Sequence, residues 1–280
     1  MASLIVRGRQ VGYEIWHADK ASTIVLFHGF TGSAKGWASI AEQFPEFRIV
    51  AIDMIGHGES DAPKDPSLYE MKVQLELLKA MFDALQLTDV HLIGYSMGGR
   101  IALSFACKYP TFIRSLTLES ATAGLVDEEE RMARQDGDGK LAQKIEQEGL
   151  EAFIEFWERI PLFESHALLP TSVQKAMREE RLSQCGVGLA NSLRGIGTGK
   201  MPAMWDSLQN LMMPVHLVVG ERDEKFINLN KRMVRHIQNA YFSIISDAGH
   251  TIHVENPAQF VKIVKELIFK FEEEQSNGNS

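Results

Sequence analysis

The sequence predicts an α/β fold in which helices cover both faces of a mainly parallel central sheet and an all-helical segment interrupts the chain. Two observations support this. Short apolar runs of strand length alternate with amphipathic helical segments in both halves of the chain. Between residues 121 and 210 we find only helical stretches rich in Glu, Arg and Met. We therefore expect a core domain of residues 1–120 and 211–280, with residues 121–210 forming a helical cap.

The first elements are a β-hairpin and two buried strands. Residues 3–16 form the predicted hairpin, which turns at Gly8. Ile24–Phe27 and Arg48–Ile52 are nearly continuous apolar runs, which are typical of strands buried on both faces. Residues 68–86 carry apolar side chains at spacings of three and four and therefore predict an amphipathic helix.

The remaining core elements repeat the alternation of strand and helix, which favours parallel strands with right-handed crossovers. They are a strand at Val90–Ile93, a helix ending at Tyr109 before Pro110, a strand at Ile113–Leu118, a strand at Pro214–Val219, a helix at Asn228–Ile237, a strand at Tyr241–Ile245, and a last helix with Asn256 as N-cap and Pro257 at its first position.

Composition narrows the possible partners. The 280 residues carry a formal net charge of −8, and such an acidic surface repels nucleic-acid backbones and anionic lipid. The two cysteines have no metal-binding or disulfide spacing, and the apolar run at Leu4–Val6 is too short for a signal or membrane segment. We expect a cytoplasmic monomer or homodimer that acts on a small molecule, without metal, cofactor, nucleic acid or membrane.

A candidate nucleophile lies in the motif Gly94-Tyr95-Ser96-Met97-Gly98, which matches G-x-S-x-G. The motif falls between a predicted buried strand and a helix, where a sharp turn needs small neighbours at Gly94 and Gly98. Such a turn exposes Ser96 at the carboxyl edge of the sheet. The alternative is a glycine-rich turn with an inert serine.

His250 is the histidine best placed to act as the base for Ser96. It follows the strand Tyr241–Ile245 after a short loop, which brings it to the edge of the sheet where open α/β sheets hold their sites. His253 lies three residues further on, but the pair lacks the carboxylate cluster of a metal site.

The orienting acid is predicted to be Asp223, just after the strand Pro214–Val219. The chain order Ser, Asp, His then matches the order that accompanies a G-x-S-x-G turn. Glu119 and Glu221 are the alternatives, because each also lies at or near the end of a strand.

Backbone N–H groups complete the predicted machinery. In a site of this kind the N–H of Phe30, after the His28-Gly29 loop, pairs with the N–H of Met97 to hold negative charge on oxygen. We assign no chemistry to His28 or to His57, which lie in glycine-containing loops.

Arg100 follows Ser96 by about one helical turn and shares its face of the helix. A cation in the first turn opposes the helix dipole, and its burial needs an anion. That anion is either an internal acid, such as Glu119, or a substrate carboxylate.

Several segments of the core and the cap resemble one family, the 2-succinyl-6-hydroxy-2,4-cyclohexadiene-1-carboxylate synthases (the MenH family) of the α/β-hydrolase superfamily. They are Glu119-Ser120-Ala121-Thr122-Ala123-Gly124-Leu125, Arg131-Met132-Ala133-Arg134, Phe153 with Trp157-Glu158-Arg159-Ile160-Pro161-Leu162-Phe163, Arg181-Leu182, Ser192-Leu193-Arg194-Gly195-Ile196-Gly197-Thr198-Gly199, Trp205, and Gly220-Glu221-Arg222-Asp223-Glu224-Lys225-Phe226.

The resemblance implies a lyase of menaquinone biosynthesis. Such an enzyme eliminates pyruvate from 2-succinyl-5-enolpyruvyl-6-hydroxy-3-cyclohexene-1-carboxylate, with the serine, histidine and aspartate acting as general base. It also implies that a group of side chains binds the substrate, namely Arg100, Arg134, Arg181, Trp157 and Tyr95, with Arg131 as the alternative to Arg134. Considered alone, the cap arginines are more typical of a solvated helix face than of a binding site, and Trp157 is more typical of a cap core.

Two other functions use the same fold. A carboxylesterase or C–C bond hydrolase would attack its substrate covalently through Ser96. A non-catalytic binding protein would have no use for the serine, histidine and aspartate together. Arg100 favours the lyase over an esterase, because a neutral ester offers it no anion.

Overall fold

The computed structural model describes the backbone of residues 2–278 and the side chains of residues 2–272. Its centre is an eight-stranded sheet in the order β1-β2-β4-β3-β5-β6-β7-β8. β2 pairs antiparallel with β1 and with β4, and all the other neighbours are parallel. The strands are β1 Ala2–Val6, β2 Arg9–Trp16, β3 Thr23–Phe27, β4 Arg48–Ile52, β5 Val90–Tyr95, β6 Ile113–Glu119, β7 Val215–Gly220 and β8 Ala240–Ile245. The predicted α/β fold with a mainly parallel sheet is confirmed.

Helices follow most of the strands. They are α1 Ala38–Ala41, α2 Met71–Ala84, α3 Met97–Lys108, α4 Glu128–Glu148, α5 Leu150–Trp157, α6 Thr171–Leu182, α7 Gly186–Ile196, α8 Glu224–Val234, α9 Ile252–Glu255 and α10 Pro257–Gly278. Short 3-10 segments, of which Pro161–Leu168 is the longest, join some of them.

The helix after β7 differs from its prediction. We expected Asn228–Ile237, but α8 begins at Glu224 and ends at Val234. The Asp223 side chain accepts a hydrogen bond from the Phe226 N–H at 3.2 Å and caps the helix there. From the sequence we assigned Asp223 only a catalytic role. We did not consider it as the N-cap, the residue at which a helix begins.

Two apolar layers sandwich the sheet. On one face α2 and α3 bury a cluster that includes Phe27, Phe82 and Phe105. On the other face α1 and α10 bury Trp37 and Phe260 among others. Each fully buried large side chain stabilises the fold by about 1.5–3 kcal/mol. Packing on both faces explains why the central strands are apolar throughout.

No strand occurs between β6 and β7 in the described chain, and helices α4 to α7 occupy this stretch. These helices have an apolar cluster of their own, in which Phe153, Ile154 and Leu189 are buried. Phe30 of the core packs edge-on against Trp157 at a ring distance of 5.4 Å. The cap, as we call residues 121–210, therefore packs over the carboxyl edge of the sheet. None of the described helices is long and apolar enough to cross a membrane.

Candidate active site

Ser96 lies at a strained turn between β5 and α3. Its φ of 50° and ψ of −106° place it in a region that residues other than glycine rarely adopt, and such strain persists mostly at functional sites. A Cβ on Gly94 would lie 2.5 Å from the carbonyl oxygen of Gly98, and one on Gly98 would lie 2.3 Å from that of Phe27. The tight packing of strand against helix therefore requires glycine at both positions.

The structure brings Ser96, His250 and Asp223 together. Ser96 Oγ is 3.0 Å from His250 Nε2, and His250 Nδ1 is 2.7 Å from Asp223 Oδ2. The imidazole is only 1% exposed. Because a carboxylate only accepts hydrogen bonds, Nδ1 carries the proton and leaves Nε2 free to accept the proton of Ser96.

The two alternatives to Asp223 have other partners. Glu119 is fully buried and accepts hydrogen bonds from the backbone N–H of His253 at 3.0 Å and from its Nδ1 at 2.9 Å. Glu221 accepts one from the Asp247 N–H at 3.2 Å. His253 is therefore a partner of Glu119. Among the described residues no cluster of metal-ligating side chains occurs.

A cavity of about 460 Å³ opens beside Ser96, a size typical of small-molecule sites. Phe30 and Met97, whose N–H groups we predicted to bind an oxyanion, both lie in its wall. The wall consists of Phe30, Tyr95, Ser96, Met97, Arg100, Ser120, Thr122, Arg134, Trp157, Pro161, Leu162, Phe163, Ser192, Leu193, Ile196, Gly197, Thr198, Arg222, Asp223, Glu224, Lys225, Phe226 and His250.

Arg100 is buried in this wall. Its Nη1 donates to the carbonyl oxygen of Ile196 at 2.6 Å, and no carboxylate of residues 2–272 forms an ion pair with it. Burial, together with repulsion from Arg134, lowers the pKa of Arg100 to about 10, and Asp138 partly opposes this. Glu119, which we considered as its partner, is bound to His253 instead.

Arg134, and not Arg131, lies in the cavity wall. Its Nε donates to Asp138 Oδ1 at 2.8 Å, and its side chain is partly exposed. Burial raises the pKa of Asp138 even though Arg134 opposes the shift. Arg131 donates to the carbonyl oxygen of Met201 at 3.1 Å and is not among the residues that line the cavity.

Trp157 and Tyr95 also line the cavity. Trp157 stacks on Phe153 with a ring distance of 5.6 Å, and its buried Nε1 has no hydrogen-bond partner within the described part of the chain. The hydroxyl of Tyr95 is 2.7 Å from Thr251 Oγ1, and burial raises the pKa of this tyrosine above its ordinary value. The Tyr95 hydroxyl is therefore already engaged with a hydroxyl of the protein.

Arg181 lies outside the wall of this cavity. It lines a neighbouring cavity of about 70 Å³, where its Nη1 is 3.3 Å from Glu158 Oε1 and its guanidinium lies 5.3 Å from the centre of the Phe163 ring. The two cavities share Phe30, Tyr95 and Phe163. Arg181 thus approaches the site from behind these rings.

Two cations in the wall were not predicted as site residues. Arg222 and Lys225 flank Asp223, and both line the cavity. Arg222 donates to Asp247 Oδ1 at 2.9 Å, while the Lys225 Nζ lies 5.9 Å from the centre of the Phe226 ring. Their position in the sequence beside Asp223 could have indicated that they belong to the site. Residues next to one at a strand end reach the same edge of the sheet.

A serine on a strained strand–helix turn, with an aspartate and a histidine after later parallel strands, defines the α/β-hydrolase class. The sequence matches the alpha/beta hydrolase fold family over residues 22–257. Among solved structures, that of MenH from S. aureus superposes with a TM-score of 0.89 at 33% identity, covering 93% of this chain and 98% of that one.

Curated relatives agree with this match. A protein of Bacillus subtilis (strain 168), provisionally named 2-succinyl-6-hydroxy-2,4-cyclohexadiene-1-carboxylate synthase, is 44% identical over 89% of this chain and 91% of its own length. The synthase of that name from Salmonella agona (strain SL483) is 31% identical over 89% of this chain and 94% of its own. The chain therefore belongs to the α/β-hydrolase fold family and, within it, to the 2-succinyl-6-hydroxy-2,4-cyclohexadiene-1-carboxylate synthase family.

Proposed function

We propose that this protein is a lyase that eliminates pyruvate from 2-succinyl-5-enolpyruvyl-6-hydroxy-3-cyclohexene-1-carboxylate to give 2-succinyl-6-hydroxy-2,4-cyclohexadiene-1-carboxylate. Family membership supports the reaction. The observation that carries the proposal is Arg100, a buried cation that forms no ion pair with a carboxylate of the described chain and lies in the same wall as Ser96. A substrate carboxylate supplies the missing anion.

The Ser96 hydroxyl acts as the general base. As Ser96 passes its proton to His250 Nε2, its oxygen takes a proton from the substrate ring. The electrons of that C–H bond move through the ring and break the bond to the enolpyruvyl oxygen, which leaves as the enolate of pyruvate. Protonation of this enolate on carbon gives pyruvate, and His250 returns to its neutral form when it releases its proton to the enolate or to water. Asp223 stabilises the imidazolium that forms, and the N–H groups of Phe30 and Met97 hold the negative charge that develops on oxygen.

The cations of the wall match the charge of the substrate, whose name specifies three carboxylates. In this proposal Arg100 and Arg134 bind two of them, since both line the cavity and planar guanidinium groups suit this task. The resemblance assigns Arg181 to the same role. Arg181 lines the smaller cavity and packs against Phe163. It therefore reaches the substrate only if the rings shared by the two cavities (Phe30, Tyr95 and Phe163) or the cap move.

We further propose that the enzyme works in the cytoplasm as a monomer or homodimer, with residues 121–210 as a cap over the core of residues 1–120 and 211–280. The net charge of −8 disfavours a nucleic-acid or membrane partner.

The test is to offer the purified protein the enolpyruvyl substrate and a panel of nitrophenyl esters. Pyruvate is followed by a coupled dehydrogenase assay and nitrophenol by absorbance. We expect pyruvate release with kcat/KM above about 10⁴ M⁻¹s⁻¹, within the usual range for enzymes. Ester hydrolysis should be at least a hundredfold slower. Rapid ester hydrolysis without pyruvate release would establish the esterase instead.

A further inference from the structure

The carboxylate of Glu255 binds the backbone on both sides of His250. Glu255 is the last residue of α9. Its Oε2 accepts a hydrogen bond from the Gly249 N–H at 2.7 Å, and its Oε1 accepts one from the Thr251 N–H at 3.0 Å. The side chain is only 3% exposed. The peptide groups before and after His250 are therefore fixed by one buried anion.

The cap reaches the same carboxylate. His166, in the 3-10 segment Pro161–Leu168, has its Nε2 3.5 Å from Glu255 Oε1 and 3.1 Å from Thr251 Oγ1. Its ring stacks on Phe163 at 4.9 Å, and Phe163 packs edge-on against the His250 ring at 6.1 Å. One cap segment thus contacts both the loop that carries His250 and its ring.

The charge state of Glu255 suits a group that accepts hydrogen bonds from two backbone N–H groups. Burial alone would raise its pKa, but hydrogen bonds from His166, Ser165 and the N–H groups of Thr251 and Gly249 outweigh burial and lower the pKa. Glu255 is thus an anion at neutral pH. An anion accepts both backbone hydrogen bonds more strongly than a neutral group would.

We propose that Glu255 is a positioning residue for His250 and that His166 couples this positioning to the docking of the cap. His250 must hold hydrogen bonds to both Ser96 and Asp223, and a shift of about 1 Å in such a group can slow a reaction a hundredfold. Undocking the cap removes His166 from Glu255, so that the base is fully aligned only beneath a docked cap. The inference rests on the proposed role of His250.

The test combines kinetics with a measurement that needs no substrate. In Glu255→Gln the side chain loses its charge and one acceptor oxygen. We expect kcat for pyruvate release to fall 10- to 100-fold with KM changed less than threefold. The low-field proton resonance of the His250–Asp223 hydrogen bond should broaden or shift. Because this NMR signal is read on the free enzyme, it reports on His250 even if the protein proves to have another substrate. Glu266→Gln, at an exposed glutamate of α10, is the matched control and should behave as wild type.

His166→Ala tests the coupling to the cap. It also tests the positioning role if Glu255→Gln fails to fold. We expect a smaller loss of kcat, a broadened resonance, and no additional loss when it is combined with Glu255→Gln, since both changes act through one carboxylate. Wild-type kcat and an unchanged resonance in Glu255→Gln, or in His166→Ala if only that variant folds, would overturn the positioning role. Fully additive losses in the double variant would overturn the coupling to the cap.

Discussion

Arg100 of the core donates a hydrogen bond to the carbonyl oxygen of Ile196, the last residue of α7 in the cap, at 2.6 Å. A neutral carbonyl is a weak partner for a buried cation, and burial lowers the pKa of Arg100 to about 10. The group still carries its charge at neutral pH. Asp138 offsets this cation only in part, and no described carboxylate forms an ion pair with it. An anionic ligand beside Ser96 would therefore stabilise it.

Replacing Arg100 should lower the activity of the protein without lowering its stability. In Arg100→Met we expect kcat/KM for pyruvate release to fall by at least about a hundredfold, or about 3 kcal/mol in transition-state stabilisation. The melting temperature should hold or rise, because a buried unpaired charge destabilises the fold. Steady-state kinetics and thermal melts check both results. An unchanged kcat/KM would show that Arg100 is only structural.

The two cap arginines should differ in a way that geometry predicts. Arg134 lines the cavity and is partly exposed, so Arg134→Ala should raise KM about tenfold, an effect that weakens with added salt because exposed charges are screened. Arg131→Ala is the matched control, since Arg131 bonds to the Met201 carbonyl outside the cavity. KM values at low and high salt decide between them, and an equal rise in both variants would contradict the assignment.

The turn at Ser96 should tolerate no added methyl group. A Cβ at position 98 would lie 2.3 Å from the Phe27 carbonyl oxygen, so Gly98→Ala should cost about 3 kcal/mol or more through displaced backbone. Gly137, in the middle of α4, has open space at the same position. There, Gly137→Ala should stabilise the protein by about 0.5–1 kcal/mol. Urea unfolding measures both. The prediction fails if the two alanines have the same effect.

Buried neutral histidines should make the fold sensitive to acid. Burial lowers the pKa of His216 and of His57 to about 3, with His28 adding to the effect on His57, and burial lowers that of His91 to about 4. Between pH 6.5 and these values the unfolded chain binds protons that the folded chain does not, so stability falls as the pH drops through this window. Each group contributes up to about 1.4 kcal/mol per pH unit.

His216→Asn isolates one of these contributions. The free energy of unfolding, measured in urea from pH 7 to pH 4.5, should depend less steeply on pH in this variant than in the wild type. Identical slopes would mean that His216 has the same pKa in the folded and the unfolded protein.

The parallel sheet and the convergence of Ser96, Asp223 and His250 follow from local signals. Each residue follows a predicted strand, and parallel strands end at one edge. The start of α8 was missed because Asp223 also caps the helix. The partner of Glu119 could not be predicted either. His253 follows β8, and only the three-dimensional packing of α9 brings it against the end of β6.

The cap was the least predictable part. Arg131, Arg134 and Arg181 all lie on polar helices, and a helix with many charges gives no indication of which one faces the core. Their contacts in the structure differ. Arg134 lines the cavity, Arg131 donates to the Met201 carbonyl, and Arg181 pairs with Glu158 and lines a smaller cavity. The contacts of Glu255 with the His250 loop were also not predicted. They are hydrogen bonds from backbone N–H groups, which every residue except proline has, so the sequence does not indicate them.

Single-turnover pyruvate release by Ser96→Ala tests the central claim most directly, with correct folding verified by an unchanged melting temperature. If Ser96 passes protons between substrate and His250, the rate constant should fall at least about a thousandfold. The variant lacks the oriented hydroxyl and, with it, the general base that takes the ring proton. A rate within tenfold of wild type would show that another group removes the ring proton.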